Sequence, residues 1–358
     1  MINKDILVIY PETYSTQIAL YKGTSLLFLK NIKHDPKVLT DFVEPEAKLK
    51  FRSGEVLREL KENDADLKEI EIVVGRGGLL KPLNTGVYEV NEKMVKDLKS
   101  GELGWHHTNQ GGLIAYDIAN KIGAKPILAD PVSVDEMEEI AKVSGHPLFE
   151  RKSIFHSLNQ KFFARKYAKA HHKGYNELRL IMVTVGMGGI SVAAHKNGKV
   201  IDVNNAYDGD GPFSIKRSGS LPTGDLVRLA FSGKYSEQEL IRLLTKEGGY
   251  AAYLGTSKLN DIDALMASGD EKALFISDAC AYQVSKEIGS MYAVLEGEVD
   301  AIILTGNIFH SERFLSNVQR SVGKIADFAL YPSVNDIEAL AENAFLVLRG
   351  ELEIQEYN

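Results

Sequence analysis

LIMVTVGMGGISVAAHKNGKVIDVNNAYDGDGPFSIKRSGSLPTGD, residues Leu180 to Asp225, is the stretch that decides the fold of this chain. An apolar run enters a glycine-rich turn at Gly186, Gly188 and Gly189, and a second apolar run, Ile190 to Ala194, leaves it. Asn197-Gly198 then turns the chain into a third strand, Lys199 to Asn204. A loop follows with Asp208, Asp210, Arg217, Ser218, Gly219 and Asp225. Strand, glycine loop and strand in that order let a backbone approach a phosphate, because glycine accepts φ > 0 and leaves N–H groups to face oxygens. A tight hairpin with glycines for sterics alone has the same local pattern; the Arg and Asp residues downstream favour the phosphate reading.

The same order occurs near the N-terminus. Ile6 to Tyr10 is apolar, Pro11 to Thr16 is a polar loop, Ile18 to Tyr21 is a second run, and Lys22-Gly23-Thr24 turns into a third, Leu26 to Ile32. Two copies of one unit half a chain apart imply a duplicated architecture, with a loop from each half facing a shared cleft. Between them, Val56 to Lys61 reads as part of a helix and Ile70 to Val74 as a buried strand ending at Gly75-Arg76-Gly77-Gly78. Asn91 to Lys99 and Gly111 to Ile122 read as helices, and Pro126 to Ala129 as a strand ending at Asp130-Pro131. A long helix, Ile154 to His171, leads into the second half. There, Glu237 to Leu244 and Ala273 to Leu295 are helices, the latter with Val284, Ile288, Met291 and Leu295 as core positions. Asp300 to Leu304 is a strand that delivers Thr305-Gly306-Asn307, and Ile337 to Arg349 is a helix with one apolar face. Strands alternating with helices define an α/β protein.

A chain of 358 residues exceeds what one core usually serves, which implies two domains. Hydrophobic content of 44% and charged content of 25% are those of a soluble globular protein. With a net charge of -7 and no basic face, nucleic acid is not an expected partner. The single cysteine, Cys280, excludes an intramolecular disulfide and fits a reducing compartment. The N-terminal apolar run is too short for a signal peptide and no run is long enough to span a bilayer, so the expectation is a cytoplasmic protein without a membrane partner.

Several long strings resemble the butyrate kinase family: RGGLLKP at Arg76 to Pro82, GGLIAYDIA at Gly111 to Ala119, DPVSVDEM at Asp130 to Met137 and SIFHSLNQK at Ser153 to Lys161. So do GKVIDVNNAYDGDGPFS at Gly198 to Ser214, RSGSLPTGDL at Arg217 to Leu226 and AYQVSKEIG at Ala281 to Gly289. The resemblance covers nearly the whole chain in order. It implies two duplicated actin-like (ribonuclease H-like) α/β domains around a nucleotide cleft, as in acetate kinase. The expected domains are 1–152 with the returning C-terminal helix 337–358, and 153–336. The implied activity is reversible phosphoryl transfer between ATP and butyrate or another short-chain carboxylate, with Mg²⁺, giving an acyl phosphate and ADP. The resemblance also implies a homo-oligomer.

A carboxylate is a weak nucleophile, so such transfer depends on in-line placement and on neutralising charge on the moving phosphoryl group. By resemblance Arg217 does this, with Arg76 a second candidate and His106 a donor near the transferred phosphate. Asp130 and Glu338 look like the positions that help hold Mg²⁺, which needs only one or two carboxylates. The implied nucleotide positions are Ser15 and Thr16 in the first loop, Gly186, Gly188 and Gly189 in the second, and Gly306 and Asn307 in the third.

The same loops depart from the family pattern. Asn-Pro-Gly-Ser-x-Ser-x-Lys becomes Tyr10-Pro11-Glu12-Thr13-Tyr14-Ser15-Thr16-Gln17, so a carboxylate replaces a glycine and a cation is lost. Like charges at 4 Å repel by roughly 4 kcal/mol at an effective dielectric near 20. His-Met-Gly-Gly-Gly-Ile-Ser becomes Val185-Gly186-Met187-Gly188-Gly189-Ile190-Ser191, and Thr-Gly-Gly becomes Thr305-Gly306-Asn307. Two expectations result: a butyrate-type carboxylate kinase, or a catalytically impaired paralogue that binds a ligand or regulates.

Overall fold

Ile6, Leu7, Val8 and Ile9 are wholly buried, so β1 (Asp5–Pro11) is apolar on both faces and runs through the middle of a sheet. The computed structural model describes residues 4–42, 44–104, 106–186, 188–306 and 311–358. Met187 and Asn307, singled out above, lie outside the described residues. From β1 the chain continues through β2 (Ser15–Lys22), β3 (Ser25–Lys33), α1 (Pro36–Asp41), α2 (Pro45–Glu62), β4 (Ile70–Arg76), β5 (Val87–Glu89), α3 (Glu92–Ser100), α4 (Asn109–Ile122) and β6 (Lys125–Ala129). Then come α5 (Glu139–Lys142), α6 (Ser157–Ala170), β7 (Leu180–Gly186), β8 (Gly189–Lys196), β9 (Lys199–Val203), α7 (Thr223–Ala230), α8 (Glu237–Thr245), α9 (Gly249–Leu254), α10 (Leu259–Ala267) and α11 (Glu271–Val294). The chain ends with β10 (Ala301–Gly306), α12 (Glu312–Val322), β11 (Asp327–Tyr331), α13 (Asp336–Leu348) and β12 (Ile354–Gln355).

Two compact units result. One is Met1–Val134 with Asn335–Asn358, the other Asp135–Val334; the sequence reading drew its boundaries at 152/153 and 336/337.

In the first unit a seven-stranded sheet runs β12-β5-β6-β4-β1-β2-β3. In the second a five-stranded sheet runs β11-β10-β7-β8-β9. The duplication is visible in register. β1, β2 and β3 form an antiparallel meander with β4 parallel to β1. β7, β8 and β9 do the same, with β10 parallel to β7. β6 beside β4 and β11 beside β10 complete the match, both parallel. All but the last residue of β7 are buried, as a central strand requires.

Each unit has its own core. In the second, Val284, Ile288, Met291 and Leu295 of α11 and its end pack with Ile181, Val183, Ile302 and Leu304 of the sheet. In the first, Ile114 and Ile118 of α4 pack with Leu7, Ile9 and Val73. Strand and helix backbones meet there without side chains between them: a Cβ on Gly75 would lie 2.3 Å from the Gly111 carbonyl oxygen, and one on Gly111 2.2 Å from that of Arg76. Gly75 and Gly111 thus set how closely α4 lies on β4. Among the described residues no helix is long and apolar enough to cross a membrane.

Candidate functional site

In the first unit the loop between β1 and β2 is built on an arginine that the sequence reading passed over. Arg52, on α2, is 2% exposed. Its Nη1 donates to the Ser15 carbonyl oxygen at 2.7 Å and to Thr16 Oγ1 at 2.9 Å. Its Nη2 donates to the carbonyl oxygens of Glu12 at 2.9 Å and Thr13 at 2.8 Å. Thr16 Oγ1 also lies 2.8 Å from His34 Nε2. Burial, and then the Arg52 charge, push the His34 imidazole down to about 4. Burial also lowers Arg52, to about 10. The Glu12 carboxylate is turned back on its own loop, accepting from the Ser15 hydroxyl and, at 3.1 Å, from the Gln17 amide.

At the end of β4, Arg76 pairs with Asp336 at 3.2 Å and donates to the Tyr10 hydroxyl. Its guanidinium lies 4.5 Å from the centre of the Tyr10 ring. Burial alone would lower Arg76, but Tyr10, Asp336 and Glu12 outweigh it and hold the guanidinium above its ordinary range. Burial, chiefly, raises the Tyr10 phenol. Asp336 is buried while Glu338, in the same helical turn, is exposed and accepts from the Asn335 amide. Asp336 is therefore the carboxylate of α13 that faces Arg76, and neither it nor Tyr10 stood among the sequence candidates. The signal was available: the helix N-terminus carries acids at both positions, and only tertiary packing selects between them.

Asp130, just past β6, has φ 38° and is 1% exposed. Its Oδ1 accepts from Thr85 Oγ1 at 2.6 Å and from the Gly86 N–H at 2.9 Å, which fixes the carboxylate's direction. A carboxylate held in this way, acceptor-only and hard, fits a divalent cation that keeps most of its waters. His106 Nδ1 lies 2.9 Å from Thr108 Oγ1 and accepts from the Thr108 N–H at 3.4 Å. A backbone N–H can only donate, so the neutral ring carries its proton on Nε2, as a donor to an oxyanion would.

In the second unit Gly186 and Gly189 close the β7–β8 turn as its last pair. A Cβ on Gly186 would lie 2.5 Å from His156 Nε2, so the turn sits against the start of α6. His156 Nδ1 in turn lies 2.6 Å from Ser191 Oγ, which makes it a structural tie. Gly306 ends β10 at φ 115°, and a Cβ there would meet the Val185 carbonyl oxygen at 2.1 Å; only glycine fits both the angle and the gap. Behind these turns Asn159 Oδ1 accepts from Thr305 Oγ1 at 2.8 Å and Thr184 Oγ1 at 3.1 Å, which pins the ends of β7 and β10 to α6.

Arg217 is 9% exposed. Its Nε donates to the Gly188 carbonyl oxygen and its Nη1 to that of Tyr207 at 2.6 Å, with the guanidinium 4.5 Å from the Tyr207 ring centre. Burial lowers its pKa, opposed by Tyr207 and Asp208. Among the described residues no carboxylate lies within ion-pair distance of it. Of the acids of its loop, Asp208 accepts from the Asn205 amide at 3.0 Å and acts on Arg217 only by its charge, while Asp210 pairs with Arg151 at 3.4 Å and Asp225 with Arg228 at 2.6 Å. A buried guanidinium fastened by carbonyls beside a glycine turn retains charge for an incoming anion. Arg76 differs, since its charge is already paired.

Two α/β units with matching meanders, glycine turns at strand ends and buried arginines beside them define a duplicated two-domain α/β protein. The sequence pattern of the acetokinase family matches residues 145–343, and the chain belongs to that family. Butyrate kinase 2 of Clostridium acetobutylicum is 46% identical over 352 residues, covering 98% of this chain and 99% of its own. A Listeria monocytogenes protein named "Probable butyrate kinase" is 44% identical over 99% of both chains. The acetate kinase of Porphyromonas gingivalis superposes with a TM-score of 0.78 at 17% identity, over 97% of this chain and 100% of that one, and shares the two-domain actin-like fold. These relatives support a carboxylate kinase and lend no support to the impaired-paralogue expectation.

Proposed function

We propose that the protein catalyses reversible transfer of the γ-phosphoryl group of ATP to butyrate or a similar short-chain carboxylate. The observation that carries this is full-length identity of 46% to a butyrate kinase. A carboxylate oxygen of the substrate forms the new bond to phosphorus as the bond from phosphorus to the ADP oxygen breaks, giving acyl phosphate and ADP. No proton need move, so the protein's task is positioning and charge neutralisation. Arg217, buried and without an ion-pair partner among the described residues, is the main neutralising group. Arg76 assists from its pairing with Asp336, and His106 donates from Nε2. Ser15, Thr16, Gly186, Gly188, Gly189, Gly306 and Asn307 are assigned to the nucleotide. Mg²⁺, when bound, would shield the charge of the phosphate oxygens, with Asp130 and Glu338 as the carboxylates that hold it. Self-association belongs to the same reading.

The test is acyl-phosphate trapping with hydroxylamine, using Mg-ATP and a series of short carboxylates. Hydroxamate formation fastest with butyrate or a near homologue is expected; none above a no-enzyme blank overturns the proposal.

A further inference from the structure

We propose that Glu12 is a built-in competitor for the phosphate groups of the nucleotide: the β1–β2 loop holds its own carboxylate until an incoming phosphate displaces it. This rests on the nucleotide reading above. Arg52 is a buried guanidinium, and among the described residues its partners are carbonyl oxygens and a hydroxyl, not a carboxylate. Its charge is therefore uncompensated where it lies. By drawing the carbonyl oxygens of Glu12 and Thr13 inward, it turns the N–H groups of Thr13 and Tyr14 the other way, because C=O and N–H of a trans peptide point in opposite directions. A loop with amides outward over a buried positive charge is chemically an anion receptor.

The same loop carries an anion of its own beside that receptor. Glu12 takes both the Ser15 hydroxyl and the Gln17 amide. Its charge also reaches Arg76, where it adds to the pull of Tyr10 and Asp336. A phosphate entering the loop would want the same two donors and would be repelled by the same carboxylate. Nothing buries Glu12 in place: it is half-exposed and is followed by exposed Thr13 and Tyr14, so its side chain can rotate out without repacking the core. The family's glycine at this position would leave the donors open, whereas here occupancy becomes a competition.

Calorimetric titration with Mg-ADP of the wild type, Glu12→Gln and Glu12→Ala tests this, with a thermal melt of each to verify folding. Removing the competing charge should tighten Mg-ADP binding about tenfold or more in both variants. A damaged loop could only weaken it. Glu12→Gln is isosteric and decides the matter alone should the alanine variant unfold. Binding in a variant that the wild type lacks also supports the proposal. If wild type binds Mg-ADP and neither variant binds it more tightly, Glu12 is not a competitor and the nucleotide reading stands. If no form binds Mg-ADP, both are overturned.

Discussion

At the scale of single residues, two arginines of one chemical type are in opposite electrostatic states. Arg217 is fastened by the carbonyl oxygens of Gly188 and Tyr207, whereas Arg76 is neutralised by Asp336. Arg217→Ala should therefore cost about 10³-fold or more in the rate of hydroxamate formation while leaving the far-ultraviolet circular dichroism unchanged. Arg217→Lys should recover little of it, since an ammonium cannot serve two carbonyls and an anion from one plane. His34 supplies a pH prediction. Its folded pKa, about 4, lies below its unfolded value of 6.5, so above pH 6.5 both states are neutral and the full stability is present. Below that the unfolded chain binds a proton that the fold refuses, and stability falls until pH 4. Urea melts should show a loss of about 1–2 kcal/mol between pH 6.5 and 5 from this group, and His34→Gln should flatten that slope. None of this pairing was legible in sequence. Arg217 could be named from its string, but Arg52, Tyr10 and Asp336 act through partners tens of residues away. Asp336 and Glu338 are alike as letters and are separated only by which side of α13 is covered.

At the scale of elements, the sequence was more informative, because strand and helix periodicity are local. The β1–β2–β3 and β7–β8–β9 meanders follow directly from apolar runs broken by Gly23 and Asn197-Gly198. Val284, Ile288 and Met291 of α11 and Leu295 at its end, the positions its spacing singled out, are all buried. Short or edge elements escaped: β5 and β12 have too few residues to show a period, β11 is an edge strand with no buried residue, and all three exist because a neighbouring strand offers them hydrogen bonds. The glycine strings carried a second meaning that pattern alone does not give. Gly75 and Gly111 are needed for contact between β4 and α4, independent of any ligand. Gly75→Ala should destabilise the protein by about 3 kcal/mol, because two backbones would have to part. Gly145→Ala, at a site with nothing within 4 Å, should change stability by about 0.5 kcal/mol or less. Chemical denaturation of the two variants side by side measures the difference; equal stabilities would mean that the contact yields easily.

At the scale of the whole molecule, the two units share a strand order but not a chain economy. The second is one continuous segment, Asp135–Val334, with its own sheet and its own core. The first is closed by residues from the far end of the chain. α13 buries Ala339, Leu340 and Ala344, β12 extends the sheet beside β5, and Tyr357 is fully buried with its hydroxyl donating to Asp97 at 2.6 Å. Asp336 supplies the ion-pair partner of Arg76 from this same returning segment. Residues 1–134 alone would therefore expose an apolar face and leave the buried Arg76 without its carboxylate, both of which penalise folding. Expressed separately, residues 135–334 should melt cooperatively, whereas residues 1–134 should show no cooperative transition. Adding a peptide of residues 335–358 to the latter should restore one, with a midpoint that rises with peptide concentration as mass action requires. Cooperative melting of 1–134 without the peptide would show that α13 and β12 cover a core already stable by itself. Recovery with the wild-type peptide but a lower midpoint with an Asp336→Asn peptide would assign part of the closure to the Arg76 pair.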